Sequence, residues 1–371
     1  MSDNFKVNLT KIKKIYPIPT AERLEYAEVY GFSVVTQKGR YKEGDLVLYI
    51  PIDSVISEQV ETALFTPDSK IKLHKRRVKQ IKIRGAYSQG MIVNPEDIAH
   101  LLKSPLHLER DYAEELGITK YEPPTPVYQG VKQPRLRDKP LSNPHFRTYN
   151  GITNIRWYPE KFEGEQVHIT EKLHGSNIRA MIAPFTANTF WKKILKFFKL
   201  TPKWEYCWGS NNVELTNRKN YKGYYGDDIY GAALDKAGVK EKLLEGECVY
   251  LELIGPGIQK GYDYGLKEHK VVLFDVRVLQ EDGTQKWLNP EGVESFAKDR
   301  GFEFVPVLYK GPYSKEVVDH CTKGPSVFDP NTKVREGCVV KSRYNYDVEQ
   351  NKNCLKSINP DYLAGDQTDF H

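Results

Sequence analysis

The feature that most constrains this chain is a series of six strand-like runs after residue 150: EQVHITEKL, NIRAMIA, ECVYLELI, KVVLFDVRVL, GCVVKSR and NCLKSIN. Long polar segments separate them, and that arrangement predicts an α+β domain built on antiparallel sheets. The first hundred residues hold another set of short β segments, KVNLTKIKKIYPIP, LEYAEVYGFSVVTQ and GDLVLYIP, the last following a polar turn at Lys42, Glu43, Gly44 and Asp45. Alternation at this spacing favours a small barrel, of which the oligonucleotide-binding (OB) barrel is a common form. Between the two sets, prolines accumulate at Pro105, Pro123, Pro124, Pro126, Pro134, Pro140 and Pro144, marking a linker or extended strap. The expected division is an OB-like domain over 1–102, a strap over 103–150 and an antiparallel-sheet domain over 151–371. A chain of this length supports two or three domains with their own cores.

Several function classes are disfavoured early. No run approaches the roughly 18 consecutive apolar residues of a bilayer span, and the start, MSDNFKVNLTKIKK, has no apolar leader core. A cytoplasmic or nuclear monomer with no membrane partner is therefore expected. Cys207, Cys248, Cys321, Cys338 and Cys354 are odd in number, scattered and never form a CxxC pair, so neither a zinc site nor a disulfide framework is indicated. Net charge is only +6, so the partner class must be read from where charge clusters. It clusters in KIKLHKRRVKQIKIR, residues 70–84, which offers Lys75, Arg76, Arg77 and Lys79 either as a solvated face or as a surface that tracks nucleic-acid phosphates. A second cluster, TFWKKILKFFKL over 189–200, has helical apolar spacing with lysines between, and is expected to dock on its own domain, with a nucleic-acid or membrane surface as the alternatives.

The chemistry centres on Glu171-Lys172-Leu173-His174-Gly175-Ser176-Asn177, where a strand runs into a glycine turn and a second strand leaves. A lysine at a strand end can be held against a phosphate, and the glycine lets backbone approach closely. Such a lysine becomes a covalent nucleophile only when its amine is neutral, which needs a nearby cation, a metal ion or desolvation. Alone, a Lys-x-His-Gly string is weak evidence and is more often a surface turn.

It is not alone. In order along the chain follow the acidic strand and glycine turn YLELIGPGIQKGYDYG with Glu252, the strand VVLFDVRV with Phe274, REGCVVKSR with Glu336 and Lys341, and NCLKSIN with Lys356. These ordered motifs resemble those of the covalent nucleotidyltransferase superfamily of ligases and capping enzymes. Within it, the chain is most similar to RNA ligases with Lys-x-His-Gly, of the Deinococcus type that carries an OB domain before the catalytic domain. The resemblance implies that Lys172 accepts AMP and that Glu171, His174 and Asn177 line the nucleotide pocket. It also implies that Glu252 faces the ribose or a metal-bound water, that Phe274 stacks on adenine, and that Glu336 holds a hydrated metal ion beside Lys172. Lys341 would contact the pocket or phosphates, and Lys356 the α-phosphate. Two departures stand out. Relatives often carry a second lysine where this chain has Ile358, and an arginine near the Ser of CWGSNNVEL, where this chain has Asn211 and Asn212 with Arg218 beyond.

The implied function is ATP-dependent joining of 3′-hydroxyl and 5′-phosphate ends in RNA or an RNA-containing duplex. ATP would serve as AMP donor, and Mg²⁺ or Mn²⁺ would be held by Glu252 and Glu336. Its rivals are a DNA ligase or capping guanylyltransferase, and a non-enzymatic OB-fold nucleic-acid-binding protein. The Lys-x-His-Gly form, and the fifteen residues after Lys356 where those enzymes usually place an OB domain, favour the RNA ligase over the first pair.

Overall fold

The computed structural model describes residues 5–66, 69, 73–121, 142–187, 190–198, 200–216, 228–348 and 351–364. Residues 122–141 of the proline-rich stretch, Lys70 and Lys72 of the basic run, and Arg218 lie outside them. Two compact units emerge. One takes residues 1–124, 153–161 and 360–371, and the other residues 125–152 and 162–359. The α+β expectation is met: among the described residues, most regular structure is antiparallel strand, with short helices between.

In the first unit, one sheet joins Asn8–Lys11, Leu46–Ile50 and Met91–Val93, and a second joins Lys14–Pro17, Leu24–Val29 and Phe32–Gln37. The sequence explains the second sheet well. LEYAEV and FSVVTQ alternate inward and outward with period two, burying Ala27, Val29, Phe32 and Val34 on one side. A hairpin, Ile81–Ile83 with Ala86–Ser88, follows the basic run.

The second unit is a sandwich. Its four-stranded sheet runs Val307–Pro312, Gln166–Lys172, Gly337–Ser342, Cys354–Ile358, and its five-stranded sheet runs Trp204–Ser210, Ser176–Pro184, Glu247–Ile254, Lys270–Leu279, Gln285–Trp287. Each sheet carries helices on its outer side. Helix Pro290–Arg300 is delimited by its own sequence: Asn289 caps the Gly292 amide, proline follows, and Gly301 closes it in the left-handed region. It packs Val293 and Ala297 against Leu273 and Val276 of the five-stranded sheet. Helix Lys315–Thr322, capped by Ser314, covers the other sheet, where the Thr322 hydroxyl donates to Ser357 Oγ at 2.7 Å. Between the sheets, Tyr149, Met181, Cys248, Tyr250, Trp287, Val339, Tyr346 and Cys354 form a closed aromatic core. Beyond this core, the inner faces carry Lys172, Lys356, Asn177 and Glu252. All five cysteines are buried and none is in a disulfide.

Candidate active site

Lys172 ends the Gln166–Lys172 strand and keeps about a quarter of its side chain exposed, with Nζ 2.6 Å from Glu336 Oε1. Strand register explains the approach. Lys172 lies opposite Gly337, so Glu336 sits one residue before the paired row, beside the lysine. A Cβ on Gly337 would lie 2.0 Å from the Ser357 carbonyl oxygen, so only glycine allows this strand start. Gly175 is equally constrained: a Cβ there would stand 2.3 Å from the Leu253 carbonyl oxygen and 2.8 Å from Glu252 Cγ. The turn of the lysine motif is thereby pressed onto the strand that carries Glu252.

The electrostatics of the two carboxylates diverge. Burial by itself would raise the Glu336 carboxyl, but the Lys172 ammonium and His174 hold it down to about 2. Glu336 Oε2 is buried without a hydrogen-bond partner, 3.7 Å from His174 Nδ1. Glu252 is pushed up to about 8 by burial, with the charge of Glu336 adding to the rise and Lys172 opposing it. Asn177, across from Glu252 in the strand pairing, also has a buried Oδ1 without a partner. Among the described residues, no group of three or more His, Cys, Asp or Glu could cage a metal ion. Two carboxylates with unsatisfied oxygen nearby instead fit a hard ion such as Mg²⁺ or Mn²⁺, which keeps waters and takes its remaining ligands from substrate phosphates.

The other expected residues fall into distinct places. Lys356 shares a sheet face with Lys172: the rows Thr170–Val339–Lys356 and Lys172–Gly337–Ile358 are adjacent and their side chains point the same way. Ile358 itself is buried. Phe274 is the extra residue of a β-bulge, since Tyr250 pairs with Asp275 and Leu251 with Leu273. Its ring meets Tyr149 edge-on at 5.0 Å. Glu171 alternates to the opposite face from Lys172, where its Oε2 accepts from the backbone amides of Val327 at 2.7 Å and Phe328 at 3.3 Å. Lys341 is buried, with Nζ donating to the Phe274 carbonyl oxygen at 2.6 Å and lying 3.5 Å from Asp275 Oδ2. In the first unit, Lys75 and Lys79 are exposed and Arg76 partly so. Arg77 is buried, its guanidinium on Asp53 Oδ1 at 2.6 and 3.0 Å and against the Tyr121 ring. Lys341 and Arg77 are thus committed to internal partners.

The sequence reading missed a clamp on the lysine turn. The His174 amide donates to the Tyr264 hydroxyl at 2.7 Å, and Gln259 Nε2 donates to the Gly175 carbonyl at 3.0 Å. The His174 ring meets Tyr262 edge-on at 4.9 Å. The Tyr262 hydroxyl donates to the Val334 carbonyl, two residues before Glu336. Tyr264, at φ 54, holds a backbone conformation that bulky residues seldom adopt. That segment, GPGIQKGYDYG, was conspicuous for its glycines, but nothing in it signalled which hydroxyl would meet which amide.

Comparison with known proteins bears on what this arrangement belongs to. A family model described as RNA ligase matches residues 165–358, just over half of the chain, and one described as an OB-fold domain matches residues 6–95. No curated protein matches the sequence. Among solved structures, a lysine-to-alanine mutant of Naegleria gruberi RNA ligase with ATP and Mn aligns at a TM-score of 0.71 and 22% identity, over 96% of this chain and 98% of that one. The Naegleria gruberi RNA ligase with PPi aligns at 0.70 and 23%, over 97% and 98%. A mutant with AMP and Mn aligns at 0.71 and 23%, over 97% and 98%. These likenesses carry the fold across both units. The family rests on the match over the sandwich that holds Lys172, Glu252, Glu336 and Lys356, and by that match the chain belongs to the RNA ligase family.

Proposed function

We propose that the protein is an ATP-dependent ligase that seals 3′-hydroxyl to 5′-phosphate ends in RNA-containing duplexes through a lysyl-AMP intermediate on Lys172. The observation that carries this reading is the 2.6 Å Lys172–Glu336 contact beside a Glu336 oxygen left without a hydrogen-bond partner. That geometry holds an amine at a fixed point and leaves adjacent negative charge open to a ligand. The solved relatives with ATP and Mn, and with AMP and Mn, support the same nucleotide and metal.

In the first step the neutral Lys172 amine attacks the α-phosphorus of ATP. A P–N bond forms and the bond to the β-phosphate oxygen breaks, so pyrophosphate leaves with the electron pair. The proton released as the P–N bond forms passes to water or to the departing pyrophosphate, and Glu336 acts by charge and position. Glu252 and Glu336 would hold a hydrated Mg²⁺ or Mn²⁺, whose charge would screen the triphosphate and lower the lysine pKa. Lys356, on the same sheet face, is placed to balance α-phosphate charge, and Phe274 offers a ring to the base. AMP then passes to the RNA 5′-phosphate, and the 3′-hydroxyl attacks that phosphorus and displaces AMP. In-line positioning and charge neutralisation carry such transfers. Exposed Lys75 and Lys79 and the half-buried Arg76 are offered as phosphate contacts of the first unit. The test is ligation across nicked duplexes in which each strand is RNA or DNA in turn. Sealing that requires RNA in at least one strand supports the reading, and equal sealing of all-DNA nicks overturns it.

A further inference from the structure

From Thr186 to Trp204 the chain has five lysines and neither aspartate nor glutamate. Helix Phe190–Phe197 lies in this stretch, between strands Ser176–Pro184 and Trp204–Ser210. Lys192 ties it down by pairing with Glu205 at 2.6 Å, and Ile194 is half-buried. Among the side chains that the structure describes here, those at the C-terminal end of the helix and just beyond it stay out. Phe197 is 82% exposed, Phe198 63% and Leu200 71%, and among the described residues no other Leu, Ile, Val or Phe is as exposed. Lys193, Lys196 and Lys203 are exposed around them. Lys193, Lys196 and Phe197 follow i, i+3, i+4 spacing and so share one helix face.

An apolar tip ringed by cations needs a partner that is both apolar and anionic. We propose that this insertion lies on an anionic lipid surface, with Phe197, Phe198 and Leu200 entering the headgroup boundary and the lysines facing acidic headgroups. Among the described residues no helix is long and apolar enough to cross a membrane, and a helix lying in the interface does not cross one. Two observations favour lipid over RNA. The Phe197 and Phe198 rings stand at 87°, which offers no parallel platform for stacked bases, and Leu200 cannot stack at all. The helix also follows the far end of the Ser176–Pro184 strand, whose near end adjoins Lys172. At strand rise that is about 26 Å away, so a surface bound there leaves the cleft open.

The test is co-sedimentation of the full chain with phosphatidylcholine vesicles, with and without phosphatidylglycerol, alongside gel-shift with a nicked RNA duplex and single-turnover adenylation. The parent should bind the anionic vesicles about tenfold or more tightly than the neutral ones, with affinity falling as salt rises. Phe197→Ser/Phe198→Ser/Leu200→Ser should lose about tenfold on anionic vesicles, and Lys193→Gln/Lys196→Gln/Lys203→Gln should lose the salt-dependent part. Adenylation and RNA affinity should stay at parental levels in both variants, which also reports that they are folded. No preference for anionic vesicles overturns the proposal, as does an apolar-tip variant that binds vesicles like the parent. Loss of RNA affinity in that variant, with no vesicle binding by the parent, assigns the patch to nucleic acid and overturns it equally.

Discussion

Two lysine–carboxylate pairs occupy the space between the same two sheets. In the aromatic core, Lys341 and Asp275 are buried together, and Asp275 also accepts from the hydroxyls of Tyr149 and Tyr346. Lys341 further donates to the Phe274 carbonyl. At the cleft, Lys172 and Glu336 are closer, yet one Glu336 oxygen makes no hydrogen bond and the lysine remains partly exposed. A buried charge whose hydrogen bonds are all made is a structural element, expensive only if one partner is removed. A pair left with open valence and a route to solvent can exchange its partner for a substrate or an ion. Arg77 repeats the first kind on Asp53, whereas Lys75 and Lys79, in the same basic run, remain exposed.

This contrast is open to direct attack. Lys341→Ala should destabilise the protein by about 3–5 kcal/mol in chemical denaturation, because it leaves Asp275 buried and uncompensated. Lys172→Ala should change stability by less than about 1 kcal/mol. If Lys341→Ala keeps parental stability and instead loses ATP binding, Lys341 is a ligand group and the division between the pairs collapses. Glu336→Gln keeps shape and removes charge, and should slow single-turnover adenylation on the order of a hundredfold. Excess metal ion should restore part of that rate, and an unchanged rate at every metal concentration would make Glu336 structural.

Glu252 sharpens the contrast through pH. Its carboxyl is raised in the folded state, so the native protein holds that proton more tightly than the unfolded chain does. The group therefore lowers stability as pH rises from its ordinary range, near 4.5, to about 8, with the penalty complete above that. In chelator, Glu252→Gln should melt near the parent at pH 5 and above it at pH 8. Identical melting differences at both pH values would remove Glu252 from the list of strained groups. The smallest effect is expected at the clamp. Tyr264→Phe takes the acceptor from the His174 amide, for a loss of about 1–2 kcal/mol in stability. Adenylation should fall a few-fold, recovering when the ATP concentration is raised only if the clamp serves binding alone.

Much of this was legible in the sequence, for identifiable reasons. Lys172, Glu252, Glu336 and Lys356 sit on or beside strands that read in sequence as short, mostly apolar runs, and glycines at 175 and 337 flag the close approaches. What the sequence hid were partners. Lys341 and Arg77 read as available cations because Asp275 and Asp53 are distant along the chain, and only the fold brings them into contact. Glu171 adjoins the nucleophile in sequence but faces the other way, since successive strand residues alternate. The return of residues 153–161 and 360–371 to the first unit is a property of tertiary packing that no local pattern encodes.

The central claim is that Lys172 is the residue that carries AMP. Intact-mass and peptide-mapping mass spectrometry after incubation with ATP and Mn²⁺ tests it most directly. One AMP on the peptide that contains Lys172, absent from an equally folded Lys172→Ala protein, is the predicted result. A full AMP adduct on Lys172→Ala, or an adduct mapped to another lysine of the parent, would contradict the account.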